Sequence, residues 1–109
     1  MSDRKLRLLF EVEREIDSVT FNGTFLAIGT PLENPARAVL FVNGSEVAVK
    51  ISLNGTDNNF TLLAGAAFVL DAQSNSVSDS NFVIAAQTQF YVKGSASTGT
   101  VTVSPIYAF

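Results

Sequence analysis

The sequence predicts an all-β protein: a single-domain antiparallel β-sandwich, jelly-roll-like or Ig-like, of about eight to ten short strands. Three observations carry that prediction. Ser45–Leu53 reads S-E-V-A-V-K-I-S-L, with Val47, Val49, Ile51 and Leu53 alternating against Glu46, Ala48, Lys50 and Ser52; a period of two is that of a half-buried strand. Asn43-Gly44 precedes this run and Asn54-Gly55 follows it, and Asn-Gly is the dipeptide that most readily enters a tight hairpin turn. Comparable apolar runs recur roughly every 8–12 residues between turn signals, in a chain of 109 residues that suits one two-layer core.

Residues 1–17 stand apart from a sandwich domain over 18–109, as a charged N-terminal strand or arm. They hold nine of the seventeen charged residues. Leu6, Leu8, Phe10 and Val12 alternate with Arg7, Leu9, Glu11 and Glu13, which favours a strand. A helix through Leu6, Leu9, Phe10 and Ile16 would leave Leu8 and Val12 unplaced. Such a strand could form a charge-guarded sheet edge or lie across a neighbouring subunit. Burying four such side chains is worth on the order of 6–12 kcal/mol before ordering entropy is subtracted.

Val19–Phe21 leads into a turn at Asn22-Gly23, and Thr24–Ile28 returns. Residues 29–35 form a loop, because Pro31 and Pro35 cannot donate to a ladder. Ala36–Val42 is nearly all apolar, as in a central strand covered on both faces, and pairs with Glu46–Leu53 through Asn43-Gly44. Asn54–Asn59 is a polar turn. Phe60–Leu63 and Ala67–Leu70 are short strands, and Asp71–Asn81 is an exposed Ser/Asn-rich loop. Phe82–Ala86 and Thr88–Lys93 follow. Thr100–Phe109 closes the chain with Val101, Val103, Tyr107 and Phe109 on one face, and Pro105 suggests an edge position or a bulge. The expected core includes Val47, Val49, Ile51, Leu53, Phe68, Leu70, Phe90 and Val92.

Composition narrows the function classes. A net charge of −3 opposes a nucleic-acid partner, which needs a basic field. No apolar run is long enough for a spanning helix, and acidic residues interrupt the N-terminal apolar stretch too early for a signal peptide, so neither a membrane partner nor secretion is expected. Four Asn-x-Ser/Thr sites therefore read as turns. With no His and no Cys, acid–base chemistry would fall to carboxylates, Lys or Tyr. Glu33, Glu46, Asp57, Asp71 and Asp79 lie in loops or at outward strand positions. No catalytic residue, cofactor or metal site is expected; the oxygen-rich Asn54–Asn59 segment lacks the order of an EF-hand loop. Charged residues make up only 16% of the chain against a usual ~25%, which suits either a surface of Ser, Thr, Asn and Gln or one covered by other protein.

Beyond these features, the order E-V-A-V-K-I-S-L-N-G (46–55), L-L-A-G (62–65), F-V-L-D (68–71), Q-T-Q-F-Y-V-K (87–93), then Gly94–Pro105 and Ile106-Tyr107-Ala108, resembles the small β-sandwich virion proteins of tailed bacteriophages. The resemblance spans roughly residues 36–108 and contains no catalytic signature. It implies a virion structural protein made in the bacterial host cytoplasm: a capsid decoration (cement) protein that binds the major capsid protein and itself, as a homo-oligomer and by analogy a trimer. Neck, tail or fibre components are the alternative within virions, and a carbohydrate-binding module the alternative outside them. Leu6, Leu8, Phe10, Val12, Tyr107 and Phe109 are the candidate assembly contacts.

Overall fold

The computed structural model describes residues 8–71 and 84–108, and nine strands among them build a β-sandwich. In the first sheet β9 (Thr100–Ala108) lies between β4 (Ala36–Asn43) and an edge made of two pieces, β1 (Leu8–Phe10) and β2 (Arg14–Asp17). The edge strand β7 (Ala67–Asp71) flanks β4 on the other side. The second sheet runs β3 (Leu26–Ala27), β8 (Tyr91–Lys93), β5 (Val49–Ser52), β6 (Phe60–Leu62). All pairings between these strands are antiparallel. The helical element among the described residues is a single 3-10 turn, Ser18–Thr20, where Val19 N donates to the Asp17 carboxylate. It replaces the start of the expected 19–28 hairpin.

The strand alternation holds at β5. Val49 and Ile51 are buried, while Lys50 pairs across the opposite face with Thr61 and Lys93. Phe90, Val92, Val101 and Val103 join them in the core. Val47, Leu53 and Leu70 are only partly buried against it. Phe41 sits at the centre, edge-on to Phe60 and Phe90 at 5.3 and 5.4 Å between ring centroids. Phe68 departs from the core expectation: it stacks on Phe41 at 6.5 Å yet stays 41% exposed. It lies on β7, which has no neighbouring strand on its outer flank among the described residues.

Pairing departs from expectation at the first Asn-Gly. β4 does not pair with β5; it bonds β7 and β9, and the chain crosses to the other sheet between them. Asn43, fully buried, makes this corner. Its amide Nδ2 donates to the carbonyls of Val47, Leu62 and Leu63 at 2.8, 3.0 and 3.1 Å, and its Oδ1 accepts from Ser45 N and Oγ. Gly44 N donates to Thr100 O. One amide thus ties the β4–β5 crossing to the β6–β7 crossing. The second dipeptide, Asn54-Gly55, does sit in the hairpin between β5 and β6, with Gly55 at φ +80°.

Pro105 takes no edge position, being buried in β9, which is flanked on both sides; it meets the bulge alternative, because residues 11–13 face only 104 and 105 between the Phe10–Ile106 and Arg14–Val103 pairs. The Pro105 carbonyl accepts from Glu11 N. A strand residue's N–H and C=O point to the same side, so the missing donor faces the break between β1 and β2, where no ladder needs it. The irregularity in β4 opposite lies between Ala36 and Ala38. β4 is not covered on both faces by described residues: Val39 and Phe41 are buried inward, whereas Ala38, Leu40 and Val42 on the outer side are half-exposed. The expected loop 71–81 lies outside the described residues beyond Asp71. Of the expected strand 82–86, Phe82 and Val83 lie outside them too, and Ile84 makes an isolated bridge to Ala36.

Candidate functional site

Where the edge breaks between β1 and β2, residues 11–13 leave the ladder and a cleft of about 420 Å³ opens. Glu11, Arg14, Thr30, Glu33 and Asn34 form its polar floor and side, and Phe10, Val12 and Tyr107 its apolar wall. Arg14 lies opposite Val103 in the β2–β9 pairing and therefore projects inward, where an apolar residue is the usual occupant. It is 6% exposed.

That burial is tolerated because every guanidinium nitrogen is engaged. Nε donates to Thr30 O at 3.1 Å, Nη1 to Val12 O at 2.6 Å and Nη2 to Pro31 O at 2.9 Å. Nη2 also lies 2.9 Å from the Glu11 carboxylate, and both side chains are almost wholly covered. Glu11 in turn accepts from the backbone N–H groups of Glu33 (3.2 Å) and Asn34 (2.7 Å) and from Asn34 Nδ2 (2.9 Å). Burial alone would push the Glu11 carboxyl up. The hydrogen bonds from Asn34 and Glu33, with the Arg14 charge, outweigh it and hold the group below its ordinary value. Gly29 passes so close to Arg14, with φ +63°, that a Cβ there would meet the arginine's Cγ at 2.5 Å.

Chemically this is a clamp. Arginine stays protonated in proteins, and a carboxylate held ionised by four contacts is poorly suited to take up a proton near neutral pH. The pair fixes loop 29–35 against the sheet, so that Leu32 becomes fully buried while its N–H donates to Thr88 O. Beside this clamp two apolar side chains face outward: Phe10 is 69% and Val12 83% exposed.

Of the candidate assembly contacts, the structure brings Phe10, Val12 and Tyr107 to this one cleft. Leu8 enters through its backbone pairing with Ala108. Leu6 and Phe109 lie outside the described residues. Residues 8–10 and 14–17 pair with this chain's own β9. Tyr91, on the second sheet, lies over Gly55 and does not join Tyr107. The oxygen-rich Asn54–Asn59 turn spends its groups internally: Asn54 Oδ1 accepts from Ser52 Oγ and from Thr56 and Asp57 N–H, and Asn54 Nδ2 donates to Asp57. Sequence reasoning missed the buried Arg14. The available signal was Glu11-x-x-Arg14 beside Ile16, an ion-pair spacing in phase with an inward residue.

A scan against protein-family models finds no match to this chain, and a search of the curated proteins returns no relative.

Proposed function

We propose that this chain is a structural protein of a tailed-bacteriophage virion, a capsid decoration protein that binds and bridges major capsid proteins as a homo-oligomer. The observation that carries the reading is the cleft beside β1: its buried Glu11–Arg14 pair is consumed in holding a loop, while Phe10 and Val12 project outward and half-buried Tyr107 completes the apolar lining. A reactive site keeps polar groups available to a substrate; a docking site keeps apolar ones available to another protein. The resemblance of residues 36–108 to phage β-sandwich proteins supplies the class of particle. A trimer follows the same analogy.

Quantitative protein analysis of purified virions tests this. The expected result is the chain present in fixed proportion to the major capsid protein, with the double variant Phe10→Asp, Val12→Asp folded but lost from particles. Absence of the unaltered chain from virions would reject the reading.

A further inference from the structure

The two outer faces of the sandwich are opposite in character. On the first sheet, register places Phe10, Ile106 and Ala38 in one row, Ser104, Leu40 and Val69 in the next, and Thr102, Val42 and Ala67 in a third. Val69 is 56% exposed. Carboxylates border this apolar field along the β2 side: Glu15 pairs across with Thr102 and Asp17 with Thr100, and Glu13 accepts from Ser104 Oγ at 3.2 Å. On the second sheet the outer rows are Lys93, Lys50, Thr61 and Ala27, Tyr91, Ser52. Lys93 lies over the Phe25 ring at 4.7 Å, and Lys50 Nζ donates to Thr61 Oγ1.

Lys50 and Lys93 are direct cross-strand partners. Like charges placed opposite one another weaken a sheet, and no carboxylate among the described residues pairs with either. An acidic surface laid against this pair would offset their mutual repulsion. The acidic, apolar face of the first sheet is such a surface, carried by the same chain.

We propose that the outer face of the first sheet is a self-association surface whose occupant is the Lys50–Lys93 face of a second copy. The proposal rests on the reading of this protein as an assembly component and specifies how its copies meet. Acid-bordered Leu40, Val42 and Val69 of one copy lie against Phe25, Tyr91 and the lysine pair of the next. Two different surfaces meet, so the contact is heterologous: it makes a ring if the rotation closes and a chain if it does not. An isologous pairing of either face would instead set like charges against each other. At ~4.8 Å between strands and ~3.3 Å per residue, the face offers a footprint of roughly 500 Å². That falls below the ~800 Å² per partner of a standard stable complex, so association is concentration-dependent and, being charge-guided, salt-sensitive.

Light scattering over a concentration series tests the contact. The expected mass exceeds 11.6 kDa at high concentration and falls with added salt. Glu13→Lys with Glu15→Lys, and separately Lys50→Glu with Lys93→Glu, each weaken self-association by about tenfold or more. Each variant keeps one native face, and their altered faces complement each other. Mixing them is therefore expected to restore association, with the two variants alternating in equal proportion. Circular dichroism checks that both remain folded. A monomer at every concentration, or an oligomer indifferent to both reversals, or a mixture that fails to associate, overturns the proposal. A monomeric chain still found on virions would overturn this contact alone and leave the virion assignment standing; loss from virions would reject that assignment separately.

Discussion

The Glu11–Arg14 clamp and the Asn43 corner both fix backbone where the chain leaves its ladders, and they do so with different groups. Loop 29–35 and its neighbour present carbonyls at Val12, Thr30 and Pro31 together with N–H groups at Glu33 and Asn34. Donors and acceptors are needed several ångströms apart, which a guanidinium and a carboxylate on separate residues supply. The corner gathers the carbonyls of Val47, Leu62 and Leu63 around one point, with the N–H and O–H of Ser45 beside them. A single amide carries both kinds of group, its two protons shared among three carbonyls. The difference teaches that buried charge here follows from the spacing of unsatisfied backbone groups, with no reactive chemistry required. It also makes one junction titratable and the other neutral.

The largest break in that comparison is expected from Arg14→Met. Removing one member of a buried pair leaves the other uncompensated and strands three carbonyls, at a cost of about 3–5 kcal/mol. Urea unfolding measures it, with Glu33→Ala as the control, since Glu33 gives Glu11 only its N–H; that change is expected to stay within about 0.5 kcal/mol. A loss below that for Arg14→Met would mean that the loop holds itself.

Asn43→Ala comes next, at about 1–3 kcal/mol. The same urea series reads it, and the expected order, Arg14→Met above Asn43→Ala, sharpens the distinction between ionic and neutral junctions. An equal or reversed order would show that tying two crossings together outweighs charge.

The finest distinction is in pH. The folded Glu11 carboxyl titrates below its ordinary value, so its contribution is fully present above the unfolded carboxylate pKa of about 4.3. It is lost as pH falls through the lower, folded value. Stability measured by thermal melts is therefore expected to decline with acid over that window. Glu11→Gln should flatten the decline, whereas Asn43→Ala should run parallel to the unaltered protein. A Glu11→Gln curve with undiminished slope would place the acid sensitivity at other carboxylates.

Much of the architecture was legible in the sequence because it is written in local periodicity. The alternation over Val47–Leu53, the hairpin at Asn54-Gly55, the strand character of the N-terminal segment and the inward set Val101 and Val103 each depend on neighbours along the chain. So does the outward polarity of Lys50. Even the edge-strand exposure of Phe68 leaves its inward direction as expected.

Partner choice was not written locally. Asn43-Gly44 and Asn54-Gly55 are the same dipeptide, yet one turns a hairpin and the other carries the chain from one sheet to the other. The deciding groups, Leu62 O, Leu63 O and Thr100 O, come from distant chain positions. Arg14 was hidden for the same reason: a charged residue reads as exposed until three carbonyls and a carboxylate close around it. Pro105 fits a central strand only because the neighbouring edge breaks where its N–H is missing. Local side-chain alternation sets which residues form strands and which way they face. Hydrogen-bond demand from remote backbone, satisfied only once the sheets are packed, decides how those strands connect and which polar residues are drawn inside.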